Sequence, residues 1–156
     1  MITVRNVIDM LQLVADENYM IEGFTFGTLD EVDINKLGAD RYPLLYAEIQ
    51  PVTIDRGALT YSFTLYLMQI IQEDFADRND SYSETLQMLQ DVLDEFLHTV
   101  NTESNIYKEG YREVVMSTPI TAEPFTARFD NLLTGWNATI SLQVNNTNNL
   151  CNVPKD

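Results

Sequence analysis

From Leu59 to Met68 the chain reads LTYSFTLYLM, and from Trp136 to Val144 it reads WNATISLQV. In the first stretch Leu59, Tyr61, Phe63, Leu65 and Leu67 take alternate positions, with Thr60, Ser62 and Thr64 between them. In the second, Trp136, Ala138, Ile140, Leu142 and Val144 alternate with Asn137, Thr139, Ser141 and Gln143. Successive side chains of a strand point to opposite faces, so both stretches predict strands with one buried and one wet face. Between them lies a strong helical pattern, which predicts one sheet whose strands come from both sides of a helix.

That helical pattern places Leu86, Leu89, Val92, Leu93, Phe96, Leu97 and Val100 on a wide apolar stripe. Ser81-Tyr82-Ser83-Glu84 reads as a capping box and predicts the helix start there. Glu84, Asp91, Asp94 and Glu95 fall on its far face, which suits solvent or a pore and not a bilayer. Near the N-terminus, Thr3 is placed to cap a first helix with Val7, Ile8, Leu11, Val14 and Ala15 on one face.

The remaining segments alternate between strand and turn signals. Tyr19 to Gly27 is a short β-like run ended by glycine, and Thr28 to Asp40 is an acidic loop. Tyr42-Pro43 opens a strand (LLYAEIQPVTI), and Asp55-Arg56-Gly57 turns it into the strand 58–71, giving a long hairpin whose Arg56-Gly57 tip projects beyond the core. Strands are expected at Tyr111–Pro119 and Phe125–Leu132, with a connector from Pro119 to Pro124 and a turn at Gly135. Tyr66 and Met68, with Ile70, lie on the otherwise polar face of the hairpin's second strand, so a second helix or another chain is expected to cover them. The fold class predicted is a single α+β domain, residues 1–144, with a mostly antiparallel sheet, a long hairpin and two main helices. Residues 145–156 form a polar, asparagine-rich C-terminal arm with Leu150, Cys151 and Val153, expected to order only against another surface such as a neighbouring subunit.

Length and composition narrow the classes. A chain of 156 residues with 45% hydrophobic and 10% aromatic residues supports one folded domain with its own core. The formal net charge of -15 disfavours gripping nucleic acid, which relies on Lys and Arg replacing condensed counterions. It suits a passage through which DNA slides without sticking, and it also promotes solubility. Asp9, Asp16 and Glu17 interrupt the N-terminal apolar pattern, so no signal peptide is expected. No run approaches the ~20 apolar residues of a membrane span, and the protein is expected to be made in the cytosol.

Candidate chemistry is sparse. His98 is the single histidine, and a zinc site around it would need three carboxylates. Cys151, the single cysteine, has no base nearby in sequence. The loop Asp30-Glu31-Val32-Asp33-Ile34-Asn35 lacks the sixth-position glycine and twelfth-position glutamate of an EF-hand. Phosphate loops, dinucleotide fingerprints and nucleophile elbows are missing from the sequence. Tyr42, Tyr46, Tyr61, Tyr66, Tyr107 and Tyr111 read as cross-strand and core partners more readily than as an aromatic binding surface. The expectation is therefore no catalysis, no cofactor and no metal, with Glu48 as one possible ligand should a metal-assisted carboxylate enzyme be the correct reading.

The segments VRNVIDMLQLV, YPLLYAEIQPVTI with ALTYSFTLYLMQII, and SYSETLQMLQDVLDEFL follow the order helix, long hairpin, capped helix, closing strands. Over roughly residues 2 to 144 this order resembles the tail-terminator and neck (tail-completion) proteins of tailed bacteriophages. The resemblance implies a structural virion protein, a small α+β subunit in a homo-oligomeric ring, commonly a hexamer, that joins the tail tube to the head connector. It implies other tail or neck proteins as partners, DNA passing through the ring without specific binding, and no membrane. The hairpin tip (Arg56, Gly57), the Tyr66–Met68 face and the arm (Leu150, Val153) are then the expected interfaces. A different class of reading is a small acidic adaptor or inhibitor whose charge steers it to a basic partner.

Overall fold

The computed structural model describes residues 3–27, 42–70, 75–102, 114–128 and 132–145. The first helix, α1, runs Val4–Glu17 with Thr3 as its N-cap. The Thr3 hydroxyl accepts from the Asn6 amide at 3.2 Å, and the Asn6 side chain accepts from the Thr3 amide at 2.9 Å, a reciprocal cap for two of the free N–H groups. Val7, Ile8, Leu11, Val14 and Ala15 are buried as their spacing predicts, together with Met10.

Seven strands are described: β1 Gly23–Gly27, β2 Leu44–Ile49, β3 Thr53–Asp55, β4 Ala58–Ile70, β5 Val114–Met116, β6 Ala122–Arg128 and β7 Leu132–Asn145; the expected strand LLYAEIQPVTI is broken into β2 and β3, β6 and β7 begin earlier than expected, and the acidic loop Thr28–Asp40 lies outside the described residues. The longest ladder joins β4 to β7 antiparallel from Ala58↔Asn145 to Ile70↔Leu133. β2 and β3 lie end to end along the far side of β4, and β6 and β5 lie end to end along the far side of β7. β1 closes the β2 edge in parallel, the one parallel pairing of an otherwise antiparallel sheet. The domain is thus a single α+β unit, as the fold class predicts.

The second helix, α2, runs Phe75–Thr102, between β4 and β5, and packs with α1 over one face of the sheet. It starts earlier than the Ser81 pattern indicates. Ser81 is buried inside the helix, where its hydroxyl donates to the Gln69 side chain at 3.2 Å and its carbonyl accepts from the Thr85 hydroxyl, so the box is a helix-to-sheet tether and not a cap. Leu89, Val92, Phe96 and Val100 are buried against Phe63, Leu65, Leu67, Ile140 and Leu142, and α1 adds Val7, Leu11 and Val14 to the same core. At the start of the helix the Trp136 indole N–H donates to the Tyr82 carbonyl at 2.8 Å, with the two rings edge-on.

Two proline and glycine readings need correction. The expected Pro119–Pro124 connector is shorter, because β6 already begins at Ala122 and carries Pro124. Proline is tolerated there because β6 pairs on one side only, with β7, among the described residues. Tyr42-Pro43 and Thr118-Pro119 are cis peptides. Gly135 is not a turn residue: it sits within β7, opposite Met68, and the connection between β6 and β7 falls at 129–131, outside the described residues. Close approach of two backbones explains the glycine. A Cβ there would overlap the Leu67 carbonyl oxygen and come within 2.9 Å of its carbon.

These glycines separate two physical costs. Gly57, in the hairpin turn, has φ +70 and open space around it, so Gly57→Ala meets only backbone strain and should lower stability by about 1 kcal/mol. Gly135→Ala meets main-chain atoms and should cost on the order of 2–4 kcal/mol. Denaturant midpoints of the two variants check the order; equal losses would show that the β4–β7 approach is looser than described.

Candidate interaction surfaces

The reverse face of the sheet, away from the helices, divides into two zones. Along its middle, hydroxyls pair across β4 and β7: Ser62 with Ser141 and Thr64 with Thr139, each at 3.0 Å. The Gln50 amide donates to Thr64 at 3.2 Å. Toward the Ile70 end the face turns apolar, and Tyr42, Leu44, Tyr46, Met68 and Leu133 form a second small core flanked by Tyr66, Ile70 and Phe125.

This second core revises the reading of Tyr66 and Met68. Met68 is only 2% exposed and is core, packed on the face opposite both helices, so the second helix does not cover it. Tyr66 is half-buried, stacked on Tyr46 with centroids 5.6 Å apart and edge-on to Phe125 at 5.7 Å. Its hydroxyl donates to a Glu48 carboxylate oxygen at 3.0 Å. Burial first, and then the Glu48 hydrogen bond and charge, push the Tyr66 phenol up to about 12; burial alone raises Tyr42 and Tyr61. Glu48 is thus the acceptor of a diagonal cross-strand pair, one register step from Thr64, its direct neighbour. Among the described residues no group of three or more His, Cys, Asp or Glu could hold a metal ion.

The hairpin tip differs in character. Residues 51–57 are all exposed, while the core on this end stops at Tyr61 and Val144. Arg56 and Gly57 form the turn, the Asp55 carboxylate accepting from the Arg56 amide at 2.7 Å, and Ile54 beside them is 75% exposed. The arm residues Leu150 and Val153, and Cys151 with them, lie outside the described residues.

Two clefts complete the surface. One, of about 320 Å³, opens between the end of α1 and α2, with Glu17, Asp91 and Glu95 around Val14 and Met20 and with Tyr19 fully exposed beside it. The other, of about 280 Å³, is apolar: Leu86, Leu93 and Leu97 of α2 face Met116, Ile120 and Ala122 across a floor that includes Leu89. Sequence reasoning assigned Leu86, Leu93 and Leu97 to the helix's buried stripe; the strand side of the groove carried no signal, because the β5–β6 segment is short and irregular. His98 is exposed on α2, and among the described residues no helix is long and apolar enough to cross a membrane.

Met68→Ala should lower stability by about 2–4 kcal/mol in the isolated protein, the cost of a core cavity and not of a lost partner. The raised Tyr66 phenol adds stability that is complete below pH 10 and is lost as pH rises from 10 towards 12. Tyr42 and Tyr61 are raised too, so titration of phenolate absorbance should lose its latest step, the one near 12, in Tyr66→Phe. Glu48→Gln should bring it closer to 10 but not fully down, because burial is the larger cause; an unmoved titration would refute the pairing. No protein-family model matches this chain, and no curated protein sequence matches it either.

Proposed function

We propose that this chain is a structural subunit of a tailed-bacteriophage virion, one copy of a homo-oligomeric ring, with a hexamer favoured, at the end of the tail tube or in the neck that joins the tail to the head connector. The observation that carries the reading is the exposed hairpin arm: residues 51–57 extend past the last core layer and end beside an apolar side chain, Ile54, left in water by the isolated subunit. β3 pairs with β4 on one edge, and its other edge faces no strand among the described residues. Open edges with apolar side chains are templates for pairing with another chain. Val115, 61% exposed at the opposite side of the sheet, gives the subunit a second apolar edge, so head-to-tail contacts have a surface at each end. Such contacts close into rings when the rotation per subunit permits.

The charge fits the same assembly. α2 presents Glu84, Asp91, Asp94 and Glu95 to solvent, and α1 presents Asp9, Asp16 and Glu17. A channel lined by such a layer repels phosphates and lets DNA pass without binding it. Other tail or neck proteins are the partners above and below the ring, the virion is the location, and the role requires neither catalysis nor cofactor. The net charge of -15 supports a second reading, an acidic adaptor or inhibitor held by a basic partner, and such a protein has no need to self-assemble.

Native mass spectrometry across a concentration series tests the assignment. A closed oligomer, a hexamer above all, is expected, and Ile54→Asp should shift the population to smaller species while leaving the denaturant midpoint of the monomer within about 0.5 kcal/mol. A monomer at every concentration that also fails to bind a tail tube would overturn the ring and leave the adaptor.

A further inference from the structure

The hairpin arm and the apolar groove sit on opposite edges of one sheet and on the same side of it. The groove lies on the helix side of the β5–β6 edge, where Leu86, Leu93 and Leu97 face Met116, Ile120 and Ala122. Its Met116 end is level with Leu142 and, across the ladder, with Tyr61. The arm lies on the β4 edge, where Ile54 pairs with Leu59, two residues or about 7 Å along the strand from that level. Leu59 alternates with the core residues Tyr61 and Phe63, so its partner Ile54 also projects to the helix side, where it is 75% exposed.

We infer that the groove receives the hairpin arm of a second copy of this chain, with Ile54 entering between the α2 leucines and the β5–β6 segment and Arg56 meeting Asp94 at the rim. The inference rests on the proposed self-assembly and names the two surfaces that make it. Reach selects a second copy. β3 is held in its ladder with β4, and three strand spacings, about 14 Å, separate it from β5, so the arm does not reach the groove of its own subunit. Charge selects the same pairing. The arm presents an apolar side chain followed two positions later by a cation, and the groove presents leucines with the exposed Asp94 between Leu93 and Leu97. In a chain with 9 basic residues against 24 acidic ones, copies repel over most of their surface, and residues 51–57, where Asp55 and Arg56 cancel, form a stretch of zero net charge. Placement then sets the kind of contact. With arm and groove on opposite edges, each subunit gives one arm and takes one, a head-to-tail arrangement that repeats from copy to copy.

Crosslinking and groove-side substitutions in the full-length chain test this. With the single cysteine removed by Cys151→Ser, Ile54→Cys protein is mixed with Ile120→Cys protein and treated with a short bis-maleimide. A covalent dimer is expected from the mixture and not from either protein alone. In sedimentation equilibrium, Leu86→Asp, at an exposed position, should weaken self-association about tenfold, with far-UV circular dichroism confirming the fold. Asp94→Arg should weaken it about three- to fivefold although it lowers the net negative charge, and adding Arg56→Asp should restore most of the loss. An oligomer that survives Leu86→Asp and Asp94→Arg and gives no crosslink would overturn the inference and leave the ring reading in place. A crosslinked dimer with nothing larger would keep the arm in the groove and overturn the ring. Monomers throughout, with no crosslink, would overturn the inference whatever the tail-tube test says of the ring.

Discussion

The β4–β7 ladder is the constraint on which the rest of the molecule depends. Its register sets Leu65 against Ala138, Phe63 against Ile140 and Tyr61 against Leu142, which puts these apolar residues under the helices. A shift of β7 by one residue would turn Ala138, Ile140 and Leu142 to the reverse face and bring Thr139 and Ser141 beneath α1 and α2. The hydroxyl pairs hold the same register from the other side, since Ser62–Ser141 and Thr64–Thr139 meet only when the strands are aligned as they are. Gly135 then lets the two backbones approach closely at Leu67 and Met68, where the second core begins.

That second core explains why the reverse face is not uniformly wet. Tyr42, Leu44, Tyr46, Met68 and Leu133 bury apolar surface at one end, and the Glu48–Tyr66 hydrogen bond marks the border with the hydroxyl zone. Stacking of Tyr66 on Tyr46 and its edge contact with Phe125 connect β2, β4 and β6 across the intervening β7. Tyr46 and Tyr66 on this face are therefore committed to cross-strand packing, and the Tyr66 phenol is amphipathic in use, its ring stacked while its hydroxyl donates to Glu48.

The elements that were legible in the sequence are those whose period is long and whose ends are local. β4 and β7 show alternation over most of their length, and α1 carries both its apolar spacing and its Thr3–Asn6 cap in consecutive residues. Ser81 was misleading because a serine followed three positions later by glutamate is also what a buried tether inside a helix looks like; only the position of Gln69, on another element, distinguishes them. Gly135 and Met68 failed together for one reason. The polar alternation of β4 hides a change from wet to buried along a single face, and that change is set by what β2 and β6 bring across, Leu44 and Phe125 among them, which no local pattern records. The parallel pairing of β1 with β2 is likewise a matter of topology and not of period.

The distribution of charge follows from the same two-faced sheet. Helices must turn one stripe to the core, and the opposite stripe of α1 and α2 is where Asp9, Asp16, Glu17, Glu84, Asp91, Asp94 and Glu95 collect. On the reverse face the middle of the sheet carries hydroxyls and amides, whose hydrogen bonds are mutually satisfied and which repel nothing. Glu48, Asp55 and Glu123 lie on the reverse face as well, so among the described residues the helix layer carries the larger share of the carboxylates. In a ring, like charge on the helix layer raises the energy of contact with a polyanion along the whole passage. That layer suits a bore that DNA crosses without adhering, so the proposed assembly places α1 and α2 inward and leaves the β3 and β5 edges, with Ile54 and Val115, for the contacts between neighbours.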